Sequence, residues 1–576
     1  MPPSLFDPEI RQLISDTLES MTGTTVPVEN LVTPPETIDA EFAYPCFTLA
    51  RILRKSPAAI AGEIAGRMHI PDWLAQVSAD GPYLNFCIHP EVLFQKVVTE
   101  ILTRDEQYGC AETRSGQRIL VEYSSPNTNK PLHLGHIRNN VLGMAIIRLL
   151  QTMGHEVIPA SIMNDRGIHI CKAMVAYQRF GRGDTPDSTG MKGDHLVGKM
   201  YVRFEQALQE QPELMDEARD MLRAWEQGDT ETRELWNMLN RWVYDGFKET
   251  YDRLGSQFEL VQYESDTYLL GKDVVRDGMK KGVLQAKPDG SIWIDLTKEG
   301  LDEKAILRKD GTSLYITQDL GVAVERFDTL NLNRAIYVVG SEQIYHFQVL
   351  FSLLEKLGFE WAGRCRHLSY GMVYLPEGKM KSREGKVVDA DDLMDRMKSM
   401  SLDVMKDSHV TVPEDRREET AEAIGLGAIK YYILKFNPQK DIHFDPERSV
   451  SFDGATGAYI QYCHARISSV IRKAGRSVEP GVDMQCLDSR EEIALIRLLL
   501  RYPDVLSGAA EELNPAKLAT ILWEIARAYN IFYTRHRILD AESEMHVTAR
   551  LALSAATAVV LRSGLRILGI EPVEEM

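Results

Sequence analysis

The sequence predicts an α/β protein: a parallel, Rossmann-type sheet, preceded by a small α+β domain and followed by an all-α bundle. Three observations predict it. Between Arg118 and Asp165 a β-rich run, a polar loop, a long helical stretch and a second β-rich run follow one another, which is the order of a parallel βαβ unit. After a charged helical interruption, the run RAIYVVG at Arg334–Gly340 has the composition of a strand buried on both faces. From about Glu414 onward apolar residues recur almost purely at helical spacing. These shifts divide the chain into residues 1–112, 113–410 and 411–576, with a helical insertion at about 178–255.

Each element has a local reason. In the first domain, GPYLNFCIHP at Gly81–Pro90 alternates apolar and polar residues before a proline, a strand pattern. TRSGQ at Thr113–Gln117 reads as a linker. RILVEY at Arg118–Tyr123 opens the sheet, and the Pro/Asn loop after it leads into a helix from about Gly135 to Met153 that Gly154 closes. EVIPASIMND supplies the next strand. The insertion is charged and helical, with a Gly/Asp/Thr-rich loop near its start. In the last domain, EIALIRLLLRY at Glu492–Tyr502 and TILWEIARAYNIFYTRH at Thr520–His536 carry the helical period.

The totals exclude several classes. The chain has 576 residues, 44% of them hydrophobic, enough for several cores. Its seven cysteines form no CxxC pair and no Cys/His cluster at zinc spacing, so no zinc is expected. The opening residues lack the basic and apolar regions of a secretory leader, and no apolar run approaches membrane-spanning length. A cytoplasmic protein without a membrane partner is expected. The net charge of −18 does not rule out nucleic acid, because phosphate contact depends on local basic patches. Such patches occur at Arg51–Lys55, Ile471–Arg476 and Thr534–Arg537, where solvated helix faces are the alternative reading.

The chemistry concentrates in SSPNTNKPLHLGH, Ser124–His136, which joins a strand to a helix. A helix N-terminus offers unpaired N–H donors and a positive dipole end to a polyphosphate. Gly135 lacks a Cβ that would hold a nucleotide ring away from the backbone, and His133 and His136 add two donors three residues apart. The alternative is a chance HxGH whose histidines only cap the helix. Far downstream, GKMKSREGKVV at Gly378–Val388 has the Gly and Lys content of a mobile loop that closes cations over a triphosphate.

HLGH resembles the HIGH motif of class I aminoacyl-tRNA synthetases, and the longer SSPN-x-x-K-P-x-H-x-G-H string resembles the arginine-specific branch of that class. The downstream loop resembles the KMSKS loop: Lys379 and Met380 match its first two positions, whereas Lys381 and Ser382 stand in transposed order. The resemblance implies a class I synthetase catalytic domain that binds ATP with Mg2+ through His133, Gly135, His136, Lys379 and Val373. Lys130, His133, His136, Lys379 and Ser382 are its expected catalytic residues, with Lys130 standing in for the lysine missing from the loop and Lys381, carried in by a one-residue shift of the loop, as the rival.

Reading arginine requires rigid carboxylates, because a guanidinium is a planar fork of donors. GTSLYITQDLG places Tyr315 and Asp319 four residues apart, on one face if the segment is helical. In the arginine enzymes a GT-x-x-Y-x-x-x-D string contacts the guanidinium, and Glu264, within QYESDTY, matches a Glu-Ser element that shares the task. Ser125, Asn127 and Gln343, the last in a Q-x-x-H-F pattern, are expected at the α-amino and carboxylate end, and Glu122 coincides with a family acid at the strand end.

The resemblance covers nearly the whole chain and implies tRNA(Arg) as partner. DGPYLNF at Asp80–Phe86 is similar to a strand of the N-terminal domain that touches the outer corner of the tRNA, which implicates Tyr83 and Asn85. SFDGATGAYIQYCHARISSVIRK at Ser451–Lys473 is similar to the anticodon-binding domain. Tyr462 and Tyr529 are expected to stack on loop bases, and Met576 to lie against the anticodon. Members of the family are usually monomers, so a monomer is expected. Three rival readings are weaker. Another class I specificity lacks its zinc ligands or its large editing insertion, a silent tRNA-binding relative would not keep both histidines with Lys379 and Asp319, and a small HxGH adenylyltransferase is too short.

Overall fold

The computed structural model describes residues 5–29, 31–35, 37–112, 116–375, 388–407 and 412–576. Its centre is a five-stranded parallel sheet: β1 (Arg118–Glu122), β2 (Glu156–Met163), β3 (Leu260–Tyr263), β4 (Arg334–Gly340) and β5 (Cys365–Tyr370), in spatial order 5-4-1-2-3. The chain moves outward from β1 on one side and returns to β4 on the other. The ends of β1 and β4 therefore flank the switch point, where an open parallel sheet leaves a crevice. Both strands are buried along nearly their whole length, as apolar runs covered on two faces must be.

The helix Leu134–Thr152 connects β1 to β2 and is buried along most of its length. Its Gly143 sits against the Tyr123 ring, where a Cβ would come within 2.5 Å of Cγ. Gly154 ends the helical segment in a left-handed turn, at φ 79°. Between β2 and β3 run Ile168–Phe180, Gly193–Leu208, Leu214–Gln227 and Thr230–Leu254, the long helices of the insertion and its approach. A small antiparallel sheet (Gln285–Ala286, Ile292–Ile294, Lys304–Leu307) precedes the helix Tyr315–Leu330 and closes a second apolar core with it.

The N-terminal part holds a three-stranded antiparallel sheet, Leu74–Asp80 pairing with Tyr83–Ile88 and that strand with Phe42–Pro45, packed on helices. The C-terminal part is a bundle of long helices: Arg417–Leu434, Gly457–Ala474, Arg490–Glu511, Ala516–Arg535 and Glu544–Ile567. The two ends of the chain meet: Arg497 pairs with Asp39 and Glu41, and the Tyr108 hydroxyl donates to the Leu499 carbonyl. The last residues fold back across the bundle. Lys430, Gln461 and His464 donate to the carbonyls of Gly569, Glu571 and Val573.

Candidate active site

The crevice starts with two consecutive residues in the left-handed region, Ser124 (φ 70°) and Ser125 (φ 47°), directly after β1. For residues with a Cβ this conformation costs on the order of 1–3 kcal/mol each and needs outside support. Asn139 and Asn140, on the helix that follows, supply it. The Ser124 N–H donates to Asn139 Oδ1 (2.5 Å) and Asn140 Nδ2 donates to Ser124 Oγ (3.1 Å). Asn139 Nδ2 also reaches the Val338 carbonyl (2.8 Å), which ties the turn to β4. The Ser125 hydroxyl accepts from Ile162 N–H (3.2 Å) and faces Glu122 (3.4 Å).

His133 is the N-cap of the next helix. Its Nδ1 accepts from the Gly135 N–H (3.1 Å), while His136 Nδ1 accepts from the His133 N–H (3.2 Å). A Cβ at position 135 would lie 3.0 Å from the His133 ring, so glycine also makes room for this cap. With both Nδ1 atoms accepting, the proton of each neutral imidazole is assigned to Nε2. Burial, helped by the charge of Lys130, lowers His133 to about 4. His136 is held well below its usual value by burial, His133 and Lys130. At neutral pH the pair is thus two neutral donors in series at a helix N-terminus.

Beyond the serines a cavity of about 560 Å³ opens between β1, β2 and β4. Glu122, Ser125, Asn127, Glu264, Tyr315, Asp319 and Gln343 all line it. Tyr315 and Asp319 share the first turns of the helix Tyr315–Leu330, as their spacing predicts, and Tyr315 is 74% exposed. Asp319 Oδ2 lies 2.6 Å from His346 Nε2. Glu264 is only 7% exposed. Burial pushes its carboxyl up to about 7; Arg166 opposes that rise, and Asp165 and Asp319 add to it. Neighbouring Ser265 is pinned to Asp165 through both its N–H and its hydroxyl (2.9 Å each). Glu122 differs from the rest, because its Oε2 forms an ion pair with the buried Arg326. A carboxylate committed in this way fixes the end of β1 first.

Val373 lies in the short strand Val373–Tyr374, which pairs with Ile442–His443. Lys379, Lys381 and Ser382 lie outside the described residues.

The residues expected to meet tRNA fall on two surfaces. Tyr83 is 38% exposed and packs edge-on against the exposed Phe47 ring, with centroids 5.7 Å apart. Asn85 requires a correction. It is 4% exposed in the central strand of the N-terminal sheet, so it does not stand out from the surface as Tyr83 does. In the bundle, Tyr462 and Met576 line one cavity with Arg466, Lys473, Arg535 and Arg537. Tyr529 is the second correction. It is fully buried, and its hydroxyl bonds to Ser554 Oγ (3.2 Å). One turn later Tyr533 is 39% exposed, lines the cavity and carries the Arg466 guanidinium over its ring at 5.2 Å.

Several lining residues were missed in the sequence. Arg166 and His169 belong to DRGIH, immediately after β2, where a loop at a strand end is a signal in itself. Arg166 stacks 4.0 Å from the centre of the Tyr268 ring, beside Glu264. His346 stands one helical turn beyond Gln343. The supports Asn139 and Asn140 carry no sequence signal beyond being polar in an apolar helix.

Comparison with known proteins agrees with this layout. The model of the class I (R) tRNA synthetase catalytic domain matches residues 97–446, that of the DALR anticodon binding domain residues 460–576, and that of the arginyl tRNA synthetase N terminal domain residues 8–88. The arginine–tRNA ligase of Porphyromonas gingivalis is 44% identical over 560 residues, 92% of this chain and 92% of that protein. That of Treponema denticola is 42% identical over 582 residues, 98% of this chain and 99% of that protein. The solved Thermus thermophilus arginyl-tRNA synthetase superimposes with a TM-score of 0.83 at 27% identity, covering 99% of this chain and 100% of that one.

Proposed function

The chain belongs to the arginyl-tRNA synthetase family, and we propose that it activates L-arginine with ATP and transfers it to the terminal adenosine of tRNA(Arg). The observation that carries the reading is the meeting, at the ends of β1 and β4, of a helix N-terminus bearing two neutral imidazoles with a cavity lined by Glu264, Asp319 and Tyr315. The first group suits a polyphosphate, the second a guanidinium.

In the first step an arginine carboxylate oxygen attacks the α-phosphorus of ATP, bound as its Mg2+ complex. The bond to the β-phosphate breaks and pyrophosphate leaves. In the second, the terminal ribose 2′-hydroxyl attacks the carbonyl carbon and AMP departs. Neither step needs a side-chain nucleophile, since both rest on positioning and charge. His133 and His136 donate from Nε2 to phosphate oxygens, and their low pKa values keep them neutral donors. Lys130 adds the positive charge that Ser382 cannot supply, from a rigid strand-to-helix connection; its contribution to the lowering of both imidazoles supports this reading. Glu264 and Asp319 face the guanidinium with Tyr315. Ser125, Asn127 and Gln343 hold the α-amino and carboxylate end.

We assign residues 1–112 to contact with the outer corner of the tRNA, 113–410 to catalysis and 411–576 to the anticodon. Tyr83 serves the first part, and Tyr462, Tyr533 and Met576 the last. The protein works as a cytoplasmic monomer. No helix among the described residues is long and apolar enough to cross a membrane. The test is aminoacylation of a tRNA(Arg) transcript with labelled arginine. Label should appear in an ester that base hydrolyses, and removal of the terminal adenosine should abolish it. Transfer to a transcript without that adenosine would overturn the reading.

A further inference from the structure

Residues 132–134, which carry His133, pair with residues 388–390 instead of standing free. The Leu134 N–H donates to the Val388 carbonyl and the Ala390 N–H to the Leu132 carbonyl (3.0 Å each), so His133 and Asp389 form an antiparallel bridge. Asp389 then caps the helix Ala390–Asp407, its Oδ1 accepting from the N–H groups of Asp391 (2.8 Å) and Asp392 (3.3 Å). What holds this clasp in place comes from the insertion. Lys192 Nζ lies 2.5 Å from Asp391 Oδ2 and 2.5 Å from Thr250 Oγ1. His195 Nε2 lies 3.4 Å from Asp389 and 3.3 Å from Asp391. Thr250 Oγ1 reaches Asp391 Oδ1 (3.1 Å). Beneath them Asp194 is fully buried and neither of its oxygens has a hydrogen-bond partner; its nearest cation is Lys192, 3.4 Å away.

We propose that Lys192 and His195 are positioning residues for the activation step: by clamping Asp391 and Asp389 they hold His133 in register at the phosphate end of the site. The inference rests on the reading of His133 as a donor to ATP. The charges support it. Three carboxylates meet here, and an acidic set of this kind stays together only with internal cations. The Lys192 ammonium lies 2.5 Å from Asp391 and 3.4 Å from Asp194. His195 Nε2 faces Asp391 and Asp389; its contact with Asp391 raises its pKa against burial, with Asp389 and Asp194 adding to the rise and Lys192 opposing it. Burial opposes ionisation of Asp391, yet bonds from His195, Lys192 and Thr250 hold it well below the usual carboxylate range. The path from Lys192 to His133 runs through the ion pair to Asp391, the Asp391 N–H bond to Asp389 Oδ1 and the backbone bonds of Leu132 and Leu134 on either side of His133, so a change at one end has a short path to the other.

The experiment measures ATP–pyrophosphate exchange with arginine, in the presence of tRNA, for Lys192→Met, Lys192→Arg, His195→Asn, Asp391→Asn and the pair Lys192→Met with Asp391→Asn. A small displacement of a reacting group costs on the order of tenfold to a hundredfold. We expect a loss of that size in kcat for Lys192→Met, with the KM for arginine unchanged. Lys192→Arg, which keeps the charge, restores most of the rate. The double variant loses less than the product of its two single losses, because the unpaired carboxylate is gone. His195→Asn keeps Lys192 in place and loses rate in the same direction, which keeps the test open if Lys192→Met does not fold. A wild-type kcat in Lys192→Met, multiplicative losses, or a loss confined to arginine KM overturns the inference. Absence of arginine-dependent exchange in the unaltered enzyme would instead overturn the reading of the site.

Discussion

Oδ2 of Asp319 lies 2.6 Å from Nε2 of His346, so this carboxylate in the cavity lining already has a donor before any guanidinium arrives. His346 comes from the helix after β4 and Asp319 from the helix before it. The contact occupies Oδ2 of a residue that lines the cavity. Asp319→Asn keeps the shape and removes the charge. Loss of one partner of a desolvated pair costs about 2–5 kcal/mol. Because the Asp319 side chain is 35% exposed, screening puts the expected loss near the lower end, at about 2 kcal/mol. The loss should appear in kcat/KM for arginine with the KM for ATP unchanged. Normal arginine use by this variant would misplace the pocket.

Glu264 makes arginine binding depend on pH. Its folded-state pKa, raised by burial to about 7, stands above the ordinary value of 4.5. The stability this group contributes is therefore fully present below about 4.5 and lost as pH rises through about 7. A guanidinium beside it favours the ionised form, so binding releases a proton within that window. Arginine should raise the melting temperature more at about pH 8 than at about pH 6, and Glu264→Gln should flatten the difference. An equal shift at both pH values in the unaltered protein contradicts the placement.

The phosphate end gives an ordering of effects. One well-placed donor contributes on the order of 2–4 kcal/mol to such a transition state. His136→Ala should lose that much in single-turnover adenylate formation. Lys130→Ala should slow the same step by about a hundredfold or more, and Lys381→Ala far less. The reverse order for the two lysines would place the compensating charge in the KMSKS-like loop.

In the bundle, Tyr533→Ala should raise the KM for tRNA and leave pyrophosphate exchange at saturating tRNA unchanged. Stacking on one aromatic contributes about 1–3 kcal/mol. Tyr529→Ala should instead destabilise the fold by about 3–5 kcal/mol, the cost of emptying a buried aromatic site, and so lower the melting temperature. If Tyr529→Ala weakened tRNA binding at full stability, the correction made for Tyr529 would be wrong.

The central sheet was legible because strands buried on both faces are unbroken apolar runs: RAIYVVG matches β4 end to end, and the helix expected over Gly135–Met153 runs from Leu134 to Thr152. Tyr315 and Asp319 could be placed on one face because four residues make one helical turn. The sheet at Gln285–Leu307 left no usable period, since its strands are two to four residues long. Tyr529 was misassigned for a different reason. It continues the buried stripe of Leu518, Leu522, Ile525 and Phe532 at helical spacing, whereas Tyr533 stands off that stripe beside exposed Thr534 and Arg535; the basic residues nearby were the misleading signal. Asn85 misled because the alternation of GPYLNFCIHP puts it on the side of Tyr83, while its depth depends on what packs over that side of the sheet. The clasp between His133 and Asp389 joins residues far apart in the chain, and no local pattern reports it.

The most direct test is ATP–pyrophosphate exchange run with each of the twenty amino acids, with and without tRNA(Arg). The account predicts exchange with arginine alone, and only when tRNA is present, because the KMSKS-like string departs from its pattern at Lys381 and Ser382 and needs the tRNA end to settle it. Exchange driven by another amino acid, or no exchange with arginine and tRNA together, would contradict the assignment, and full-rate exchange without tRNA would contradict the coupling.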